Sequence, residues 1–181
     1  MSVASIYRCA LKQMLEIVHA DYDDPRHGSA LVTLLDAYSR DPAGGGEPLS
    51  EFARVNLLAE LAARPSIFSV LAFDGDNAVG LINAIEGFST FVCRPLINVH
   101  DVVVLPSHRC RGIAAQMFAE VEGIARKRGA CKLTLEVLSG NHAARALYEK
   151  LGFDDYRLDP GMGHAKFMQK WLCQSRFVPA P

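Results

Sequence analysis

The chain has no uncharged apolar run approaching the ~20 residues that a membrane-crossing helix requires. Its first residues mix Arg8, Lys12 and Glu16 into the apolar positions where a leader would keep a compact apolar core. Neither membrane insertion nor a signal peptide is expected. Metal-ligand spacing is missing too. The five cysteines (Cys9, Cys93, Cys110, Cys131 and Cys173) are odd in number, widely separated and without a CxxC pair or a cysteine–histidine cluster. This pattern supplies neither a disulfide framework nor a zinc centre, and reads as free thiols in a reducing cytoplasm. A basic cluster is also lacking. Net charge is −1, with 19 Lys and Arg against 20 Asp and Glu along the whole length, which argues against nucleic-acid binding driven by counterion release. The segment Asp41 to Pro48 (DPAGGGEP) mimics a phosphate loop with its three glycines, but no Gly-Lys-Ser/Thr follows, so it reads as a plain loop or lid. No internal repeat or domain linker is visible.

What is present suits one domain over residues 1–181. Half the residues are hydrophobic and 22% are charged, enough for a sizeable core and too apolar for disorder. Residues 1–12 carry no clear period and read as a frayed extension or a short helix. Met14 to Tyr22 reads as a strand, and Asp23-Asp24-Pro25 as the start of a helix ending near Arg40. Ser50 caps a second helix that stops at Arg64-Pro65. Ile67 to Phe73 and Ala78 to Ile85 are apolar strands joined by the turn Asp74 to Asn77, and Glu86 to Pro95 reads as a further connection. Leu96 to Leu105 is the most β-prone run. Beyond it come an amphipathic helix closed by Gly129, a strand from Cys131 to Leu138 and a helix from Asn141 to Leu151. Last is a strand pair, Phe153 to Leu158 and Lys166 to Trp171, around Pro160-Gly161-Met162-Gly163. This order predicts an α+β or mixed α/β domain with one sheet covered by helices on both faces.

Chemistry concentrates between His100 and Phe153. Arg109-Cys110-Arg111-Gly112-Ile113-Ala114 lies between a strand end and a helix start, where unpaired amides and the helix dipole attract an anion. Gly112 lets backbone approach a phosphate, and Arg109 and Arg111 add charge. The motif R-x-x-G-x-A, carried by Arg109, Gly112 and Ala114 after an apolar strand, resembles the pyrophosphate loop of the GNAT (GCN5-related N-acetyltransferase) family. The preceding HDVVVLPSHR is similar to that family's fourth strand, and Asn141, Ala144, Tyr148 and Gly152-Phe153 to its C-terminal half. The likeness implies the GNAT fold: a mostly antiparallel twisted sheet of about six to seven strands, with a splayed fourth and fifth pair, flanked by about four helices. It implies acetyl-CoA as co-substrate, no metal, and a pantetheine arm held by backbone groups of Val102, Val103 and Val104, as a peptide augments a sheet. The phosphates would meet Arg109, Cys110, Arg111, Gly112, Ile113 and Ala114, and Asn141, Ala144 and Tyr148 would complete the cofactor wall.

Acetyl transfer to an amine needs a base, because an ammonium with a pKa near ~10.4 cannot attack, and an acid for the departing thiol. The resemblance implies Tyr148 as the acid, against a plain core tyrosine. Glu136 is the leading base. Leu133, Leu135 and Val137 point one way along its strand while Lys132, Thr134 and Glu136 point the other, and a glutamate inside a strand is costly unless it faces a wet crevice. Its setting, LEV-x-x-x-N-x-x-A-x-x-x-Y, is similar to ribosomal-protein N-terminal acetyltransferases. Asp101, as an ammonium holder, and His100, as a proton acceptor near neutral pH, are rivals, and either is alternatively a polar anchor.

The resulting expectation is a cytoplasmic N-acetyltransferase whose acceptor is a small-molecule amine or a peptide, attacked directly in a ternary complex. Acceptor choice is expected between Tyr38 and Glu51 and between Glu86 and Pro95, where Phe88, Thr90, Phe91 and Arg94 suggest a partly apolar pocket. A silent acyl-CoA sensor and an aminoacyl-tRNA-directed toxin are the alternatives; the toxin is disfavoured by the missing basic face. Dimers are common among relatives, which leaves a homodimer open.

Overall fold

The computed structural model describes residues 15–156, 159, 161, 163 and 165–172. The stretch read as an N-terminal extension, residues 1–12, lies outside them, as does Met14. Strand β1 (Leu15–His19) is followed by helices α1 (Pro25–Ser39) and α2 (Glu51–Ala62). Strands β2 (Ile67–Asp74), β3 (Asn77–Ser89) and β4 (Arg94–Val104) come next, then helix α3 (Ile113–Lys127), strand β5 (Leu133–Leu135) and helix α4 (His142–Lys150). Among the described residues the five strands lie in sequence order, antiparallel from β1 to β4, with β5 parallel to β4. The mixed sheet and flanking helices agree with the expected fold class.

Local chemistry sets the element ends. Asp24 caps α1 by accepting from the Arg26 amide at 2.7 Å, with Pro25 in the first turn. Ser50 caps α2 through the Ala53 amide. The β2–β3 turn places Gly75 at φ +60°, a conformation that glycine adopts without cost. The connection expected from Glu86 to Pro95 is much shorter. Glu86 to Ser89 pair with Ile97 to Arg94, so both strands run on into a long hairpin whose turn is residues 90–93.

The sheet buries both faces. On one, α3 and α4 set Met117, Phe118, Val121 and Tyr148 against Phe68, Val70, Ile82, Ala84, Ile97 and Val99. On the other, α1 and α2 set Leu31, Leu34 and Leu61 against Leu71, Phe73, Leu81 and Val103. Strand β4 changes parity midway. Ala84 pairs with Val99 but Asn83 with Asp101, so His100 is an extra, bulged residue. Before it the odd residues Ile97 and Val99 face α3; after it the even residues Val102 and Val104 do, and Val103 turns to α1.

The closing strand pair is not found among the described residues. Residues 153–156 and 165–172 join no strand, and residues 157, 158, 160, 162 and 164 lie outside the description. Phe167-Met168 and Trp171-Leu172 occur as adjacent apolar pairs, so either strand face would expose one member. Phe167, Met168 and Leu172 are accordingly exposed.

Candidate active site

The β4–β5 ladder is short. Ile97, Asn98 and Val99 pair with Leu133, Thr134 and Leu135, and there the pairing ends while β4 continues to Val104. On its other side β4 stays paired with β3 through Val104. From His100 to Val104 β4 therefore has no strand partner on this side among the described residues, an edge about 16 Å long at the usual rise, on which the Val104 carbonyl accepts from Arg109. The splay is the expected one, and the bulge at His100 sits where it opens.

Past the edge, Pro106–His108 form a single 3₁₀ turn that leads into the arginine–glycine loop. Gly112 caps α3 at φ +75°, and the first amide returned to the helix is that of Gln116, bonded to the Gly112 carbonyl. The amides of Ile113, Ala114 and Ala115 are the orphan donors of the first turn. A Cβ on Gly112 would meet nothing within 4 Å, so the glycine is required by φ and not by space. Gly112→Val is expected to destabilise the fold by about 1–2 kcal/mol, read by thermal melting, because a β-branched residue resists the left-handed region. Cys110, also left-handed at φ +61°, is exposed.

Arg109 is already engaged. Its Nε donates to the Val104 carbonyl at 3.0 Å and its guanidinium pairs with Asp41 at 3.1 Å. The Ala43 amide and then Arg109 hold the Asp41 carboxyl below its ordinary range. An ion pair this exposed contributes about 0–1 kcal/mol, so a phosphate can recruit Arg109 at small cost. The same pair ties the glycine-rich segment to the anion loop.

Helix α4 supplies the far wall. Asn141 accepts from the Ala144 amide at 3.2 Å, which makes it the N-cap. Tyr148 is buried, and its ring meets Phe118 and Phe153 edge-on, at 5.7 and 5.9 Å between centroids. Burial first, and the neighbouring Tyr38 second, push its hydroxyl up to about 12. A cleft of about 1240 Å³ joins these elements. Val102 to Val104, Arg109, Cys110, Gly112, Ile113, Ala114, Asn141, Ala144 and Tyr148 all line it, together with His100 and Glu136.

The structure places three of the expected features differently from the sequence reading. Glu136 does not sit inside a strand: β5 ends at Leu135, and Glu136 follows it as an exposed residue. The Asn98 amide steadies it, donating at 3.2 and 3.3 Å to its two oxygens and at 3.2 Å to Thr134. Arg111 and Asp101 are not part of the cleft wall. No residue from Glu86 to Pro95, a hairpin, lines this cleft, whereas Tyr38 and Arg40 to Ala43 do.

Asp101 lies on the α1 side of the sheet, where Asn83 donates to its Oδ2 at 3.0 Å. Tyr38 stands between the two centres: burial and then the Asp101 charge raise its hydroxyl, and Tyr38 in turn raises that of Tyr148. The gap between β4 and β5 thus works as a window. Tyr148 belongs to the α3 face and the Asn98-bound Glu136 to the α1 face, and the cleft connects these two, with Asp101 on the α1 face outside its lining. Tyr38 entered the sequence reading as one end of the expected acceptor region, Tyr38 to Glu51, and not as part of the chemistry.

Comparisons with known proteins agree with this geometry. Residues 29–153 match the model of the Acetyltransferase (GNAT) family. The chain is 27% identical over 112 residues to an uncharacterized N-acetyltransferase, YhfO, of Bacillus subtilis, covering 62% of this chain and 72% of that protein. It is 28% identical to streptothricin acetyltransferase of Streptomyces lavendulae over 58% of this chain and 66% of that one, just under two thirds of its length. The solved structure of AAC(6')-Iy with a CoA bisubstrate analog superposes with a TM-score of 0.67 at 20% identity, over 87% of this chain and 99% of that chain. With more than half its length matched by the family model, the chain belongs to the GNAT family of acetyltransferases.

Proposed function

We propose that the protein transfers an acetyl group from acetyl-CoA to a primary amine of a small molecule or peptide, by direct attack in a ternary complex. The observation that carries this reading is the free β4 edge running from His100 to Val104 straight into the α3 N-terminus, with Tyr148 in the facing wall. When bound, acetyl-CoA supplies an activated thioester and a thiol leaving group. The chain's own residues divide the remaining work. Backbone groups of Val102, Val103 and Val104 pair with an extended arm as a strand would. The orphan amides of Ile113, Ala114 and Ala115, joined by Arg109, take the pyrophosphate. Tyr148 donates a hydrogen bond where thiolate charge develops. Glu136, at the open end of the window, takes the ammonium proton directly or through water, and Asp101 holds the ammonium.

The acceptor class is supported by two relatives named for small molecules, streptothricin acetyltransferase and AAC(6')-Iy.

Acetyl-CoA at a hundred times its dissociation constant is expected to stabilise the fold by about 2.7 kcal/mol, which is about 5–10 °C in Tm for a chain of this size. Differential scanning fluorimetry reads this directly; no shift at millimolar acetyl-CoA would falsify the cofactor assignment. Thiol release with a panel of benzylamine, lysine, spermidine, neamine and an N-terminal peptide then identifies the acceptor.

A further inference from the structure

A chain of buried polar side chains crosses the α1 face of the sheet, and no step described so far uses it. Ser69 on β2 is fully buried and Asn83 on β3 is 6% exposed. Ser69 Oγ donates to Asn83 Oδ1 at 2.6 Å, Asn83 Nδ2 donates to Asp101 Oδ2 on β4 at 3.0 Å, and Tyr22, just after β1, meets Ser69 Oγ at 3.0 Å. The directions follow from the chemistry. A carboxylate only accepts, so the Asn83 NH₂ must face Asp101 and its carbonyl must face Ser69. Ser69 spends its one proton on that carbonyl, so the Tyr22 hydroxyl donates to Ser69. Every donor in the row points toward Asp101.

This arrangement is not what packing alone would select. The surroundings are Leu71, Phe73, Leu81 and Val103, and apolar residues at positions 69 and 83 would fill the layer without desolvating three polar groups. The row ends on a half-buried carboxylate that has no cationic partner among the described residues, and whose other oxygen, Oδ1, meets no donor among them. Its charge is felt by Tyr38, which lines the cleft. Asp101 is not in the cleft lining, but its chain neighbours His100 and Val102 are, and a carboxylate held on one oxygen by a neutral donor keeps the other for a cation that reaches it from that side.

We infer that Asn83 is a positioning residue, backed by Ser69 and Tyr22, that aims Asp101 at the ammonium group of the acceptor and so sets affinity for cationic amines over neutral ones. This rests on the transferase reading above. Asn83 itself touches neither substrate nor cofactor.

The test is a double-mutant cycle between Asn83→Leu and Asp101→Asn. It is read by calorimetric affinity for the best amine of the panel at saturating CoA, and by KM for each substrate. Asn83→Leu is expected to weaken amine affinity and raise amine KM about tenfold to a hundredfold, the worth of one hydrogen bond to a charged group. KM for acetyl-CoA and the acetyl-CoA thermal shift stay as in the wild type. In the Asp101→Asn background the same change is expected to alter amine affinity by less than about twofold, since Asn83 acts only through the carboxylate. Ser69→Ala and Tyr22→Phe follow with successively smaller losses, and their cycles against Asp101→Asn serve if Asn83→Leu fails to fold. Additive effects in a wild type that turns over, or an equal rise in KM for acetyl-CoA, overturn the assignment of Asn83. A wild type that binds CoA yet acetylates no amine of the panel overturns the transferase reading itself.

Discussion

Replacing Tyr148 by phenylalanine is expected to lower kcat by about 10²–10³-fold while the acetyl-CoA thermal shift and the fold stay intact, the loss seen when one donor to a developing charge is removed. Phenylalanine keeps the ring that packs on Phe118 and Phe153, so packing changes little. The hydroxyl's raised value decides what kind of donor it is. At about 12 it holds its proton throughout the working range. Handing that proton to a thiolate with a pKa near ~8.5 would be uphill by between three and four pH units, about 5 kcal/mol. In the proposed reaction Tyr148 therefore serves first as a hydrogen-bond donor, with any full proton transfer coming after thiolate charge has formed. The sign has a consequence for pH. A tyrosine at its ordinary value would lose its donor proton near pH 10 and impose an alkaline limb there. One raised this far stays protonated, so the ratio of wild-type to Tyr148→Phe turnover should be flat from pH 6 to 10. Turnover of the variant within threefold of wild type would remove Tyr148 from the chemistry, and a ratio that collapses near pH 10 would mean that its hydroxyl titrates at the ordinary value.

How much of this was legible in the residues depends on whether the chemistry is contiguous. The strand-to-helix loop was, because Arg109 to Ala114 carry charge, a left-handed Gly112 and a helix start within one short segment, and the structure sets them along the cleft, Arg111 apart. The helix start at Asp24, the cap at Ser50 and the turn at Gly75 were legible for the same reason: each is a bond between near neighbours. The bulge was not. One extra residue at His100 leaves no local signature, yet it reverses which of Asp101, Val102 and Val103 faces α3. Alternation counted along the strand therefore places no side chain of β4 correctly on both sides of His100.

The polar row was harder still. Ser69, Asn83 and Asp101 each sit in an apolar run on a different strand, joined only by register across β2, β3 and β4. A sequence shows three isolated polar residues; the sheet makes them one feature. Glu136 failed in the opposite direction. Its alternation with Leu133 and Leu135 was real, but the ladder to β4 ends at Leu135, and a residue one step past a strand end is wet without needing a partner. The C-terminal stretch failed because β-prone composition is not alternation: Phe167-Met168 and Trp171-Leu172 cannot place their apolar side chains on one face.

Phe118→Ala is expected to cost about 3–5 kcal/mol, the range for deleting a fully buried ring. This side chain is 0% exposed and lies at the centre of the α3 face, with Tyr148 and Phe153 each at 5.7 Å and both edge-on. At the usual slope for a chain of this size the Tm falls by about 6–20 °C, readable by calorimetry or by the fluorescence melt. The site should feel the change separately from the fold. Tyr148 is oriented by contacts on its two flanks, and Phe118 is one of them, so residual turnover measured well below the new Tm should drop as well. Acetyl-CoA protection should persist, because the β4 edge and the α3 N-terminus do not depend on that ring. Phe118→Leu, which refills most of the volume, should recover most of the stability and less of the turnover, since an aliphatic side chain fills the space without the edge-on contact. A cost below 1 kcal/mol for the alanine variant would mean that the ring cluster is not what seats α4 on the sheet. Tyr148 would then owe its position to the Asn141 cap and the helix backbone alone.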